Sequence, residues 1–167
     1  FFELTKMRLI LIIISTLFSL KAVPDGQNNL IGYWHGFGLI VEIKECEDKL
    51  CGVIEHIFVS DDKDPKTILD ENNKDKELKS RTLVGSNILF DFSRQPDSSG
   101  THTGRIYNPD EGKSYKSKIR LLENGDLEIE GCFTVICRKV GEWLPVTISI
   151  DGNGKRVAKL TNPLAIF

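Results

Sequence analysis

A charge excess of one sign is what this sequence most plainly lacks. Among its 167 residues, 22 Lys and Arg nearly balance 24 Asp and Glu, for a formal net charge of −2. The broad basic field on which nucleic-acid binding depends is therefore missing. Histidine is also scarce, with only His35, His56 and His102 present. No Gly-x-Ser-x-Gly or His-Glu-x-x-His string occurs, and no pair of carboxylates stands at a spacing that marks acid–base work. An enzyme built on His56, Tyr115 or Arg81 thus has no motif behind it, and no residue pattern asks for a cofactor or a resident metal. Helical periodicity is nearly absent too, which sets an all-helical fold aside. What remains is a chain with 40% hydrophobic residues, nine Phe and two Trp, enough to bury one core and not the composition of a disordered segment.

Lys6 and Arg8 precede the apolar stretch from Leu9 to Leu20, which reads as a secretory signal covering 1–22 with an upstream extension before Met7. The stretch is short for a membrane-spanning helix. No Cys follows it closely, which argues against a lipid-modified terminus. Ala22 or Ser19 is the candidate cleavage position. Removal of 1–22 takes away three cations and one anion and leaves a mature charge of −4. Export to a periplasm or the exterior exposes the chain to oxidation, and there Cys46-x4-Cys51 and Cys132-x4-Cys137 are expected as two disulfides rather than as metal ligands. Zinc sites more often use a two-residue spacing.

From Gly32 onward, short alternating runs are separated by turn residues. About eight strands are expected, at 34–46, 50–59, 86–93, 101–107, 113–122, 126–132, 135–146 and 155–160. Sequential strands with short links suggest an antiparallel up-and-down barrel at 30–146, since closure removes exposed edges. A C-terminal extension at 147–167 would add one further strand or hairpin. Asn124-Gly125 invites a two-residue turn, but that register mixes apolar and charged faces. A three-residue loop with Gly125 left-handed instead pairs Leu121 with Leu127, Ile119 with Ile129, Arg120 with Glu128 and Lys118 with Glu130. The same reasoning, with a four-residue loop at 47–50, places Cys46 opposite Cys51, Ile43 opposite Ile54 and Val41 opposite His56. It also places Cys132 opposite Cys137. Local bridges are the preferred connectivity; with both tips expected at one end of the barrel, crossed bridges stay open.

The one long loop, 60–85, lies between the second and third expected strands, and its stretch from Ser60 to Asp75 holds six acidic and three basic residues. Long loops in tight folds tend to be functional. It is expected to hold one helical turn near Lys76 to Arg81 and to cover a barrel mouth. Asp70, Asn72, Asn73 and Asp75 have oxygen ligands for calcium, yet lack the Gly and distal Glu of an EF-hand loop, so Asx turns are the expected use. Arg81 either pins this loop through an ion pair or faces a ligand carboxylate. Pro109 and Gly112 are expected to shape the turn between Tyr107 and Tyr115. Tyr107, Tyr115, Ser117 and His56, if inward, would make the lumen partly polar and suited to an amphipathic molecule.

Gly32-Tyr33-Trp34 resembles the Gly-x-Trp signature of lipocalin-type barrels. More specific is the series Cys46-x4-Cys51-Gly52, Asp70-x-Asn72-Asn73, Leu78-x-Ser80-Arg81-x-Leu83-x-Gly85, Ile106-Tyr107-Asn108-Pro109-x-x-Gly112-Lys113-x-Tyr115, Gly131-Cys132-x4-Cys137 and Trp143. In this order it resembles the bacterial domain-of-unknown-function 2147 family, departing from that pattern at Lys74 and Thr82, where a Pro is usual. The resemblance implies an exported lipocalin-like barrel of about eight strands that binds a small lipophilic or amphipathic molecule. The alternative is an envelope or secreted interaction module with a solid barrel and a protein partner on the acidic loop.

Overall fold

A computed structural model describes residues 30–161. The proposed signal at 1–22 and the last six residues of the C-terminal extension lie outside them. Nine strands follow in chain order: β1 (Gly32–Gly36), β2 (Leu39–Cys46), β3 (Lys49–Ile57), β4 (Asn87–Ser93), β5 (Thr101–Asn108), β6 (Lys113–Leu121), β7 (Leu127–Phe133), β8 (Ile136–Ile150) and β9 (Arg156–Leu160). Each pairs antiparallel with its neighbour in sequence, and β1 also pairs with β8, closing eight strands into a barrel. β9 pairs back on the far end of β8 and forms a hairpin that ends at Leu160.

The expected first strand, 34–46, is in fact two. Phe37 and Gly38 take positive φ values of 54° and 72°, the geometry of a tight hairpin turn whose twist matches its strands. Splitting that strand makes the long loop fall between the third and fourth strands. It also puts the two cysteine hairpins at opposite ends of the barrel. The Cys46 and Cys51 sulfurs lie at disulfide-bonding distance at the β2–β3 tip, with Cα atoms 5.8 Å apart. Those of Cys132 and Cys137 do the same at the β7–β8 tip, with Cα atoms 4.0 Å apart. Crossed bridges would have to span the barrel's length, which its topology forbids.

Register agrees with expectation at β6–β7, where Leu121 faces Leu127, Arg120 faces Glu128 and Lys118 faces Glu130. Gly125, at φ 87°, completes its three-residue loop. Cys132 faces Cys137 as expected. The β2–β3 register differs: its turn has two residues, not four, so Cys46 faces Lys49 and Cys51 faces Lys44. Val41 consequently meets Ile54 and Ile43 meets Gly52. This register separates Glu42 from Glu55, a like-charge pairing in the expected one. Glu42 instead accepts hydrogen bonds from Tyr33 Oη and Lys44 Nζ, each at 3.0 Å.

Side chains fill the barrel unevenly. Toward the end that carries the β2–β3 and β6–β7 turns, here called the lower mouth, Trp34, Ile43, Leu50, Phe92 and Leu127 are buried in one apolar cluster. Trp34 Nε1 donates to the Leu30 carbonyl at 2.8 Å, which satisfies the signature tryptophan. Trp143 is fully buried and lies over Gly36, where an added Cβ would stand 1.8 Å from its ring. The β8–β9 hairpin is tied back by Arg156, whose guanidinium reaches Glu55 and packs 5.9 Å from the Tyr33 ring.

Candidate functional site

The upper mouth carries the β1–β2, β5–β6 and β7–β8 turns together with the long loop. Beneath them the barrel is hollow. A cavity of about 690 Å³ is lined on its walls by Leu39, Ile54, Ile57, Ile88, Ile106 and Val140. That volume lies within the range of small-molecule pockets, roughly 300–1,000 Å³. Thus the barrel is solid in one half and open in the other, neither the fully packed nor the fully hollow cylinder.

The long loop forms one wall of this space. Ile68 and Leu83 line the cavity. A short antiparallel bridge pairs Leu69 with Thr82, and Gly85 N and Ile54 O bond at 2.7 Å, fixing the loop's return to β3. Its two single 3-10 turns, Pro65–Thr67 and Lys76–Leu78, are N-capped by Asp64 and Asp75; the second matches the helical turn expected near Lys76. The expected Asx turns appear as well, with Asp75 N donating to Asn73 Oδ1 at 2.9 Å.

Asp70 is the loop's anchor. It is 1% exposed, yet its carboxylate is fully engaged. Tyr107 Oη donates to Oδ1 at 2.5 Å; Asn73 Nδ2 at 2.7 Å, Arg81 Nε at 2.9 Å and Arg81 Nη2 at 2.7 Å all donate to Oδ2. Burial alone would raise the Asp70 pKa, but hydrogen bonds from Tyr107, Asn73 and Arg81, with the Arg81 charge, outweigh it and hold the carboxyl below its ordinary range. The same burial and the Asp70 carboxylate push Tyr107 up to about 12. Arg81 therefore takes the first of its two expected roles, pinning the loop, with its guanidinium 5.7 Å from the Tyr107 ring. Gly112, at φ 62°, lets the β5–β6 turn meet the loop: a Cβ there would stand 1.8 Å from the Asn72 carbonyl oxygen. Asn72 Nδ2 reaches the Pro109 carbonyl at 3.4 Å on the same turn.

Of the five ligand-binding candidates, the four expected in the lumen and Arg81, only Tyr107 and Tyr115 line the cavity. Tyr115 Oη donates to a Glu111 carboxylate oxygen, and Asn108 Nδ2 donates to the other at 3.1 Å. Ser117 faces inward but is buried below the cavity, its Oγ donating to the Glu130 carbonyl at 2.7 Å. Arg81 is spent on Asp70. His56 does not line the cavity, a correction with a clear cause. A register shift makes Ile40 and Val41 face His56 and Ile54, leaving Glu55 as an extra residue in β3. Such a bulge reverses the inside–outside alternation, so Ile57 takes the inward place and the His56 ring lies edge-on to Phe58, 4.9 Å away. His35 packs edge-on against the same Phe58 ring, whereas His102 lies elsewhere, its Nδ1 2.7 Å from the Ser93 carbonyl oxygen.

The aromatic rim escaped the sequence reading. Phe37, Phe58 and Phe133 line the upper cavity and remain exposed at 51%, 54% and 78%. Phe37 is visible only once the β1–β2 turn is known, and Phe133 only once the β7–β8 tip is fixed at Thr134 and Val135.

A family described as an uncharacterized protein conserved in bacteria, DUF2147, matches residues 32–143. No curated protein matches the chain. Among solved structures, protein HP1028 from Helicobacter pylori, described as belonging to the lipocalin family, is similar with a TM-score of 0.58 at 22% identity. The similarity covers 71% of this chain and 83% of that one. It shows that the closed barrel is lipocalin-like.

Proposed function

The chain belongs to the DUF2147 family, and from that premise we propose that it is an exported binding protein or carrier that holds one small lipophilic or amphipathic molecule at the upper mouth of its barrel. The observation that carries this reading is the 690 Å³ space walled by aliphatic side chains and rimmed by exposed aromatic rings. An eight-stranded barrel has room for a single small ligand when its interior is not filled by side chains. Export is supported by two cysteine pairs at bonding distance, since such bridges persist in oxidising compartments. Binding is preferred to catalysis because both tyrosine hydroxyls that line the cavity are engaged by carboxylates, Tyr107 by Asp70 and Tyr115 by Glu111.

The acidic loop favours this reading over the interaction-module alternative. Its inner residues, Ile68, Asp70, Asn73 and Leu83, close the barrel wall rather than standing free for a partner. Native mass spectrometry of the protein purified from its own host is expected to show a co-purifying small mass, released under mild denaturation. Repeated absence of such a mass, together with failure to take up any amphiphile added in solution, overturns the proposal.

A further inference from the structure

Among the described residues, every charged group that lines the cavity is a carboxylate: Asp110 and Glu111 stand at its lip, with no Lys, Arg or His beside them in the described lining. The cation nominated by the sequence to meet a ligand carboxylate, Arg81, has both its Nε and Nη2 on Asp70. Lys113 and Lys116 on the adjacent strand are exposed and outside the lining. A fatty-acid head seated here would therefore meet like charge, with no guanidinium or ammonium among the described lining residues to pair with.

Resting on the binding reading above, we propose that the cavity takes an amphiphile with a cationic head, an alkylammonium whose hydrocarbon part fills the aliphatic half and whose nitrogen sits at the lip beside Glu111. Two features of the lip suit that chemistry. Glu111 is held by two donors, Tyr115 Oη and Asn108 Nδ2, and each carboxylate oxygen keeps further acceptor capacity for a third. The same space is lined by the aromatic rings of Phe37, Phe58, Phe133 and Tyr115, and aromatic faces attract ammonium groups through their quadrupoles. The lip is open to water, so the head is recognised at the boundary while the tail is buried.

Three probes with the same twelve-carbon tail separate the possibilities: dodecyltrimethylammonium, dodecanoate and dodecanol, each titrated below its aggregation concentration against the intact protein by calorimetry or by displacement of a fluorescent apolar dye. The ammonium is expected to bind about tenfold more tightly than dodecanoate, the scale of an exposed ion pair joined by a cation–π contact, with dodecanol between them. Glu111→Gln is expected to bring the ammonium down to the level of the alcohol, and Tyr115→Phe, which frees Glu111 from one donor, to change that preference without changing the fold's thermal transition. Equal or tighter binding of dodecanoate by the native protein overturns the head-group inference while leaving the cavity's role intact. Failure of all three probes overturns the cavity reading itself.

Discussion

At Asp70 a single buried carboxylate ties the long loop to the barrel through Tyr107 on β5. Its neutralising partner Arg81 is itself 30% exposed, so water softens the loss when the pair is broken. Asp70→Asn is expected to cost about 3 kcal/mol in denaturant unfolding, the lower end for a broken buried pair. The pH dependence follows from the two shifts. The folded Asp70 pKa is depressed, so its contribution is complete above the unfolded value near 4 and is lost as pH falls through the folded one. Tyr107 is raised to about 12, so its contribution is complete below the ordinary tyrosine value of about 10 and is lost as pH climbs toward the folded one. Thermal melts between these limits should be flat with respect to this network, and Asp70→Asn should flatten the acid side. Sequence alone nominated Arg81 for the ion pair but could not show which acid it chooses. The loop has several, and the choice depends on Tyr107, contributed by a strand far along the chain.

Strand alternation was readable wherever one face is apolar and the other charged. The β6–β7 hairpin shows this, because only one register keeps Lys118, Arg120, Glu128 and Glu130 on a common face. β1 and β2 were not separable by that criterion, since Phe37-Gly38 interrupts the pattern with another large apolar side chain. The β3 bulge was equally hidden: one extra residue leaves composition unchanged and moves every later side chain to the opposite face. At the element scale the two cysteine pairs should differ in effect. Each closes a short loop, and chain entropy assigns about 2 kcal/mol to a bridge of that span. Replacing Cys132 and Cys137 by Ser should lower both stability and ligand affinity, because Cys132 and Phe133 line the cavity. Replacing Cys46 and Cys51 should lower stability alone, read by calorimetric titration beside a denaturant melt. Gly36→Ala should be destabilising by at least about 1–3 kcal/mol, the usual range for overpacking, since the Trp143 ring occupies the added methyl's place.

For the molecule as a whole, the division into a packed lower half and a hollow upper half separates stability from binding. Val140 lines the cavity and is 52% exposed, so Val140→Trp is expected to block uptake of an apolar dye while leaving the melting temperature within a few degrees. Deleting loop 60–85 should instead lower that temperature sharply, because the aliphatic wall beneath Ile68 and Leu83 would be opened to water. The sequence marks the loop only by its charge, which belongs to its outer surface, whereas its inner residues are recognised only with the barrel present.

Barrel closure itself rests on a short seam. β1 meets β8 through Tyr33–Val146, Trp34–Pro145 and His35–Leu144, and Pro145 brings no N–H to donate. Among the described strands every other pairing joins neighbours in the chain, whereas this one joins segments more than a hundred residues apart. Loop-closure entropy makes local hairpins the cheap early events and the long-range seam the late one. The connectivity thus predicts an order of folding, to be checked by mutational kinetics: hairpin contacts form early, and pairing of the N-terminal strand with β8, which turns the curled sheet into a cup, forms last.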